Sequence, residues 1–289
     1  MLKNIIDIHV HTFPEKIAQN AINSLQEKSG TKAFYEGTFF SLQKSMLESG
    51  ITYSILQPVA TKPSQVISIN NYAIKINQDS NKTKIISFGA MHPDFENYSE
   101  ELLRIFNSGI KGIKLHPVYQ GVNVDDEKYI KILEYAGEIG LITLIHAGWD
   151  VGFPGEPQAL PDKMLRALKS SGNFNVILAH MGGWKIWFEA QELFSKTNVY
   201  IDTAFSLGKI TPNQNAIKNS RWHDEDLFML RSEEFLKLVK DYGSEKILFG
   251  TDFPWSSQIQ SVKDINSLGL SESEKNNIFF ENAKKLLAL

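Results

Sequence analysis

The 289-residue sequence has no cysteine, which excludes disulfides, thiolate metal sites and a cysteine nucleophile. Any metal ion must therefore be held by His, Asp, Glu or Lys. Neither sign of charge dominates. With 30 Lys plus Arg against 33 Asp plus Glu, the formal net charge of −3 gives no broad basic field for nucleic acid or anionic lipid. No nucleic-acid and no membrane partner is expected. Small molecules remain, and a homo-oligomer stays open. No apolar run approaches the ~20 residues that cross a bilayer, and the stretch 140–145 stops at His146. A secretory leader also has no place ahead of Ile5-Ile6-Asp7-Ile8-His9-Val10-His11, because that first apolar segment already carries polar groups. The expected location is the cytoplasm. Linkers rich in Pro, Gly or Ser, low-complexity tracts and a second composition regime are all missing, so residues 1–289 are expected to form one domain.

What is present is a rhythm. Runs rich in Ile, Val, Leu and Phe recur at 5–12, 53–60, 85–91, 111–117, 141–147, 175–181, 199–205 and 246–252. Most are apolar on both parities, as in strands buried on both faces of a parallel sheet, and helical spacing fills the intervals. Residues 97–108 and 126–139 are predicted helices, stopped by Gly109 and Gly140. Eight alternating units in a chain near the usual ~250 residues of such barrels predict a (β/α)8 TIM barrel of the α/β class. A doubly wound nucleotide-binding sheet is disfavoured, since no G-x-G-x-x-G follows the first strand. The long segments 13–52, 148–160 and 206–231 follow strands one, five and seven, so they are candidate lids and substrate walls at the C-terminal face.

The histidines carry the chemistry. Five of the seven fall at or near predicted strand ends: His9 and His11 on strand one, His116 on strand four, His146 on strand five and His180 on strand six. His9 and His11, two apart, share a face of their strand. Asp252 ends strand eight, the neighbour of strand one in a closed barrel. A lone histidine is usually an ordinary hydrogen-bonded residue. Five at strand ends point instead to a metal site. Nitrogen and oxygen donors suit zinc, manganese, iron or cobalt, and His9, His11, His146 and Asp252 suffice for a catalytic site that keeps a position open.

In order, His9-Val10-His11, Gly112-Ile113-Lys114-Leu115-His116-Pro117, Ile145-His146-Ala147-Gly148, Ala179-His180-Met181-Gly182-Gly183 and Gly250-Thr251-Asp252-Phe253-Pro254 resemble the amidohydrolase superfamily. The likeness is closer to the branch that contains aminocarboxymuconate semialdehyde decarboxylase and predicted metal-dependent hydrolases. The tail Asn282-Ala283-Lys284-Lys285-Leu286 looks like that branch's closing helix. The resemblance implies a distorted barrel, with His9, His11, His146 and Asp252 around one divalent metal, zinc foremost, and His180 beside its water. His180 and Asp252 are then the proton-transfer candidates. Lys114 has two readings: a cation for a substrate carboxylate, which is preferred, or a carboxylated bridge to a second metal. His116 offers either a second substrate donor or a cap on its strand end.

Trp149, Trp184, Trp187 and Trp255 follow strands five, six and eight, where some could wall a cyclic substrate. Packing is the simpler reading of Trp184 and Trp187. Arg221-Trp222-His223 reads as a solvated loop before it reads as a carboxylate clamp, and Asp202 is as much scaffold as catalyst. The expected activity is hydrolysis of a small amide, ester or lactone. Non-oxidative decarboxylation or hydration of a small unsaturated or aromatic carboxylic acid is the alternative. The His-x-His start leans toward hydrolysis, since several decarboxylases of the branch carry glutamate first. A non-catalytic metal- or metabolite-binding barrel is the weakest reading.

Overall fold

The structure is a computed structural model that describes residues 4–153, 155, 157–173, 175–219 and 222–289. Among the described residues nine strands run in chain order: β1 (Ile6–Val10), β2 (Tyr53–Leu56), β3 (Ile85–Ser87), β4 (Gly89–Ala90), β5 (Gly112–Leu115), β6 (Ile142–Ile145), β7 (Val176–Leu178), β8 (Tyr200–Asp202) and β9 (Ile247–Leu248). Each of the eight predicted segments contains a strand, and the third is split in two at Phe88. Among the described residues no helix is long and apolar enough to cross a membrane.

The chain divides into two compact units, Met1–Ser54 with Asp150–Gly155 and Thr203–Leu289, and Ile55–Trp149 with Glu156–Asp202. In the second unit β4 to β8 form a parallel sheet in sequence order, with registers such as Ala90↔Lys114, Leu115↔Ile145, Ile145↔Leu178 and Leu178↔Ile201. Phe88 N–H donates to Leu56 O at 3.0 Å, placing β2 beside the third strand. Crossover helices Val66–Gln78, Tyr98–Asn107, Glu127–Glu138, Pro161–Ser171 and Trp187–Phe194 make each connection long enough for parallel pairing. The predicted helices 97–108 and 126–139 are two of them. The strand residues are buried on both parities because helices cover one face and side chains fill the other. Burying each Ile or Leu of this kind contributes about 1.5–3 kcal/mol.

In the first unit β1 is buried along its whole length. Ile8 N–H donates to Phe249 O at 2.8 Å, Asp252 N–H to His9 O at 2.8 Å and His11 N–H to Phe253 O at 2.7 Å. The first and last strand segments are therefore hydrogen-bonded neighbours, as a barrel requires. Tyr53 N–H donates to Ile5 O on one flank and Thr203 N–H to Leu248 O on the other. Segment 13–52 is mostly helical, at Glu15–Ser29 and at Phe39–Ser49, the latter opened by a Thr38–Ser41 capping box. The closing helix Asn282–Leu287 is pinned by Asn282, whose Nδ2 donates to Ser244 O and Ile247 O, each at 2.7 Å.

Candidate metal centre

Asp7, His9 and His11 share one parity of the first strand segment, so a single face of it bears three polar groups. His9 is buried and His11 partly exposed. Their Nε2 atoms lie 3.2 Å apart, and Asp252 Oδ1 lies 3.1 Å from that of His11 and 3.8 Å from that of His9. Two neutral imidazoles that aim ring nitrogens at each other repel unless a proton or a cation stands between them. Two nitrogens and one carboxylate oxygen are a donor set for a divalent transition ion. Bonds of about 2.0–2.2 Å at tetrahedral angles would place the donors roughly 3.3–3.5 Å apart, close to what these residues offer. The arrangement fits a metal.

Asp252 has φ +62°, in the left-handed region that side chains avoid, and His180 has φ +60°. Such conformations cost about 1–3 kcal/mol each and persist where surrounding contacts impose them, commonly at functional sites. The two residues that sequence singles out for proton transfer are thus also backbone outliers.

Sequence reasoning passed over Asp7. Its carboxylate is wholly buried and accepts from Thr251 Oγ1 (2.6 Å), Gln258 Nε2 (2.8 Å), Thr251 N–H (3.0 Å) and His9 N–H (3.2 Å). The available signal was its parity with the two histidines. Burial pushes its carboxyl up to about 7, against the lowering by those hydrogen bonds. Folded Asp7 therefore holds a proton more readily than unfolded Asp7 between the two pKa values. Its contribution is complete below the unfolded value and is lost as pH rises toward 7, at up to about 1.4 kcal/mol per pH unit. For metal-free protein, the unfolding free energy of wild type minus that of Asp7→Asn should fall between about pH 4 and 7 in denaturant titrations. A rising difference would contradict this sign.

In the second unit three histidines gather. His146 Nδ1 is 3.1 Å from His180 Nε2, and the His116 ring lies nearly parallel to that of His146, 4.1 Å between centroids. His146 Nε2 is 3.1 Å from Trp149 O. A carbonyl only accepts, so His146 carries its proton on Nε2 and turns the Nδ1 lone pair to His180. His180 is clamped on both sides of its peptide unit: its N–H donates to Asp202 Oδ1 at 2.9 Å, and Trp187 Nε1–H donates to its carbonyl at 3.0 Å. Asp202 serves as scaffold in this contact. His116 caps the turn Pro117–Gln120 by accepting Tyr119 N–H at Nδ1. Gln120 fixes the position: its amide donates to Ala60 O and Met91 O, and its oxygen accepts His116 N–H.

Lys114 is buried in β5, Trp184 and Trp187 are buried, and Trp149 is exposed at the surface. Gly148, at φ +86°, lets the chain pass so close to Trp184 that a Cβ would meet the Trp184 nitrogen at 2.3 Å. Trp255 is partly exposed, its N–H bonded to Asp252 O at 2.8 Å. Trp222 is anchored through Nε1 to Gly30 O, His223 is exposed, and Arg221 lies outside the described residues. His92 is a sixth strand-end histidine that sequence reasoning left aside. Its Nδ1 accepts Asp94 N–H, and burial lowers its pKa, a structural role.

Solved structures share this architecture. An uncharacterized TIM-barrel protein from Bordetella bronchiseptica superposes with TM-score 0.73 at 15% identity, over 99% of this chain and 98% of that one. A dihydroxybenzoic acid decarboxylase from Polaromonas with bound manganese and 2-nitroresorcinol gives 0.69 at 16%, over 99% and 97%. A protein from Pseudomonas putida assigned as a 2-pyrone-4,6-dicarboxylic acid hydrolase gives 0.64 at 18%, over 100% and 98%. The chain has the (β/α)8 TIM-barrel fold, with a donor set for metal. The amidohydrolase family profile matches residues 6–289, and the chain belongs to that family of enzymes. Among curated proteins, 2-amino-3-carboxymuconate-6-semialdehyde decarboxylase of Dictyostelium discoideum is 24% identical over 339 aligned positions, covering 98% of this chain and 91% of the relative.

Proposed function

We propose that the chain, acting as one catalytic domain, is a metal-dependent, non-oxidative decarboxylase of a small unsaturated or aromatic carboxylic acid. The observation that carries this is its near full-length similarity to a decarboxylase. The reading displaces the hydrolysis favoured by the His-x-His start, because one donor set serves both reactions and the relatives lean to CO2 release.

In the proposal His9, His11, Asp252 and His146 hold a single divalent ion, zinc or manganese. When bound, that ion supplies positive charge to a substrate carboxylate and, in a hydrolase, lowers the pKa of a water to roughly 7. The chain's own groups do the rest. Decarboxylation breaks the bond between carbon and carboxylate, releases CO2 and leaves an electron pair on carbon that takes up one proton. His180 and Asp252 are the groups assigned to hold and deliver that proton, since imidazole exchanges protons near neutrality and a carboxyl can relay them. Lys114 and His116 are assigned to bind the acid, and Trp149 to wall it.

Hydrolysis of a small ester or lactone is the second reading, favoured by the fold likeness to the pyrone dicarboxylic acid hydrolase. Incubating metal-loaded protein with panels of aromatic and unsaturated carboxylic acids and of lactones separates the two. Stoichiometric CO2 with loss of one carboxyl supports the proposal. Acid release without CO2 supports hydrolysis.

A further inference from the structure

The polar face of the first strand has a lower layer, and Asp7 occupies it. Its carboxylate accepts from the backbone of His9 on one strand and from both the backbone and the hydroxyl of Thr251 on the other. Thr251 directly precedes Asp252. The same carboxylate reaches Gln258 Nε2 at the start of the helix Gln258–Ser267. One side chain thus ties together the residue that presents the first imidazole, the residue next to the strained Asp252, and the helix that follows. Thr251 Oγ1 in turn accepts Phe253 N–H at 3.2 Å, extending the tie past Asp252.

We infer that Asp7 is a positioning residue for the metal ligands, holding His9 and Asp252 at the mutual spacing a cation needs. The inference rests on the reading of His9, His11 and Asp252 as ligands. Groups that orient ligands without touching the ion commonly set metal affinity by about 10–100-fold. Asp7 differs from such partners in acting through backbone and not through a ligand's ring.

The geometry also predicts which substitute works. Gln258 Oε1 is buried and has no partner among the described residues. In Asp7→Asn the amide oxygen can still accept His9 N–H and Thr251 N–H, and the new NH2 can donate to Thr251 Oγ1 and, once the Gln258 amide turns over, to its Oε1. Asparagine preserves the tie. Alanine abolishes it.

The test measures Mn2+ and Zn2+ affinity by competition with a chelating dye, beside the thermal midpoint of the metal-free protein. Asp7→Ala should weaken both ions about 10–100-fold, and Asp7→Asn should recover to within about threefold of wild type. Val239→Ala, in the buried face of the helix Ser232–Tyr242, lowers stability without touching the tie and should leave affinity unchanged. Asp7→Ala with wild-type affinity, or Val239→Ala losing as much affinity at equal midpoint, overturns the inference. Should the alanine variant not fold, Thr251→Val removes the shortest contact together with the Phe253 N–H bond and leaves the Asp7 carboxylate in place, and unchanged affinity there overturns it equally. His11→Ala separates the two failures. If it too leaves affinity unchanged, the ligand reading has failed and the positioning role falls with it. If it weakens binding while Asp7→Ala does not, only the positioning role is lost.

Discussion

Replacing His180 by asparagine should lower turnover by ~10²–10⁴, the usual size of a general acid–base contribution, while metal content stays near one ion per chain. The left-handed backbone at His180, held by Asp202 and Trp187, presents this imidazole in a fixed direction, and asparagine tolerates that conformation better than most residues. The loss should therefore be chemical and not conformational. Rate is read by steady-state assay and metal by elemental analysis of the same sample. If Lys114 is carboxylated and bridges a second ion, His180→Asn and Lys114→Ala should each take the stoichiometry from two toward one, and the one-metal account is wrong. His146→Ala discriminates again: it weakens the only ion in the first case and mainly the second ion in the other.

Removing the divalent cation should abolish turnover and destabilise the protein. Without it the His9 and His11 nitrogens, 3.2 Å apart beside a carboxylate, lose the positive charge that draws all three together. A ligand that binds only the folded state stabilises it by RT ln(1 + [L]/Kd), about 2.7 kcal/mol at a hundredfold excess over Kd. Thermal midpoints should rise with added Zn2+ or Mn2+ in wild type and move far less in His11→Ala. Full activity in protein shown by elemental analysis to be metal-free would contradict this.

The barrel was legible because strands such as β1, β5, β6 and β7 are buried on both faces, which writes them as continuous apolar runs between helical stretches. The candidate ligands were legible for the complementary reason: a histidine or aspartate that ends such a run is out of character with it. Other features had no local signature. Asp7 looks like one more polar residue in the first strand, and its role shows only through Thr251 and Gln258, 244 and 251 residues away. The break at Phe88 and the left-handed backbone at His180 and Asp252 have no signature in the local apolar pattern. His92 was overlooked and proved structural. The His-x-His start leans toward hydrolysis, but a single ligand position is a weak discriminator where one donor set serves both chemistries. What separates the reactions is the shape that receives the substrate.

The central claim is that one divalent ion sits among His9, His11, His146 and Asp252. Anomalous scattering from crystals grown with Mn2+, recorded on either side of the manganese edge, tests it most directly. The account predicts a single strong peak within about 2.0–2.3 Å of a donor atom on each of these four residues. A pair of peaks bridged by a carboxylated Lys114 in protein prepared with bicarbonate and excess metal, or an ion bound elsewhere with these residues bare, would contradict it.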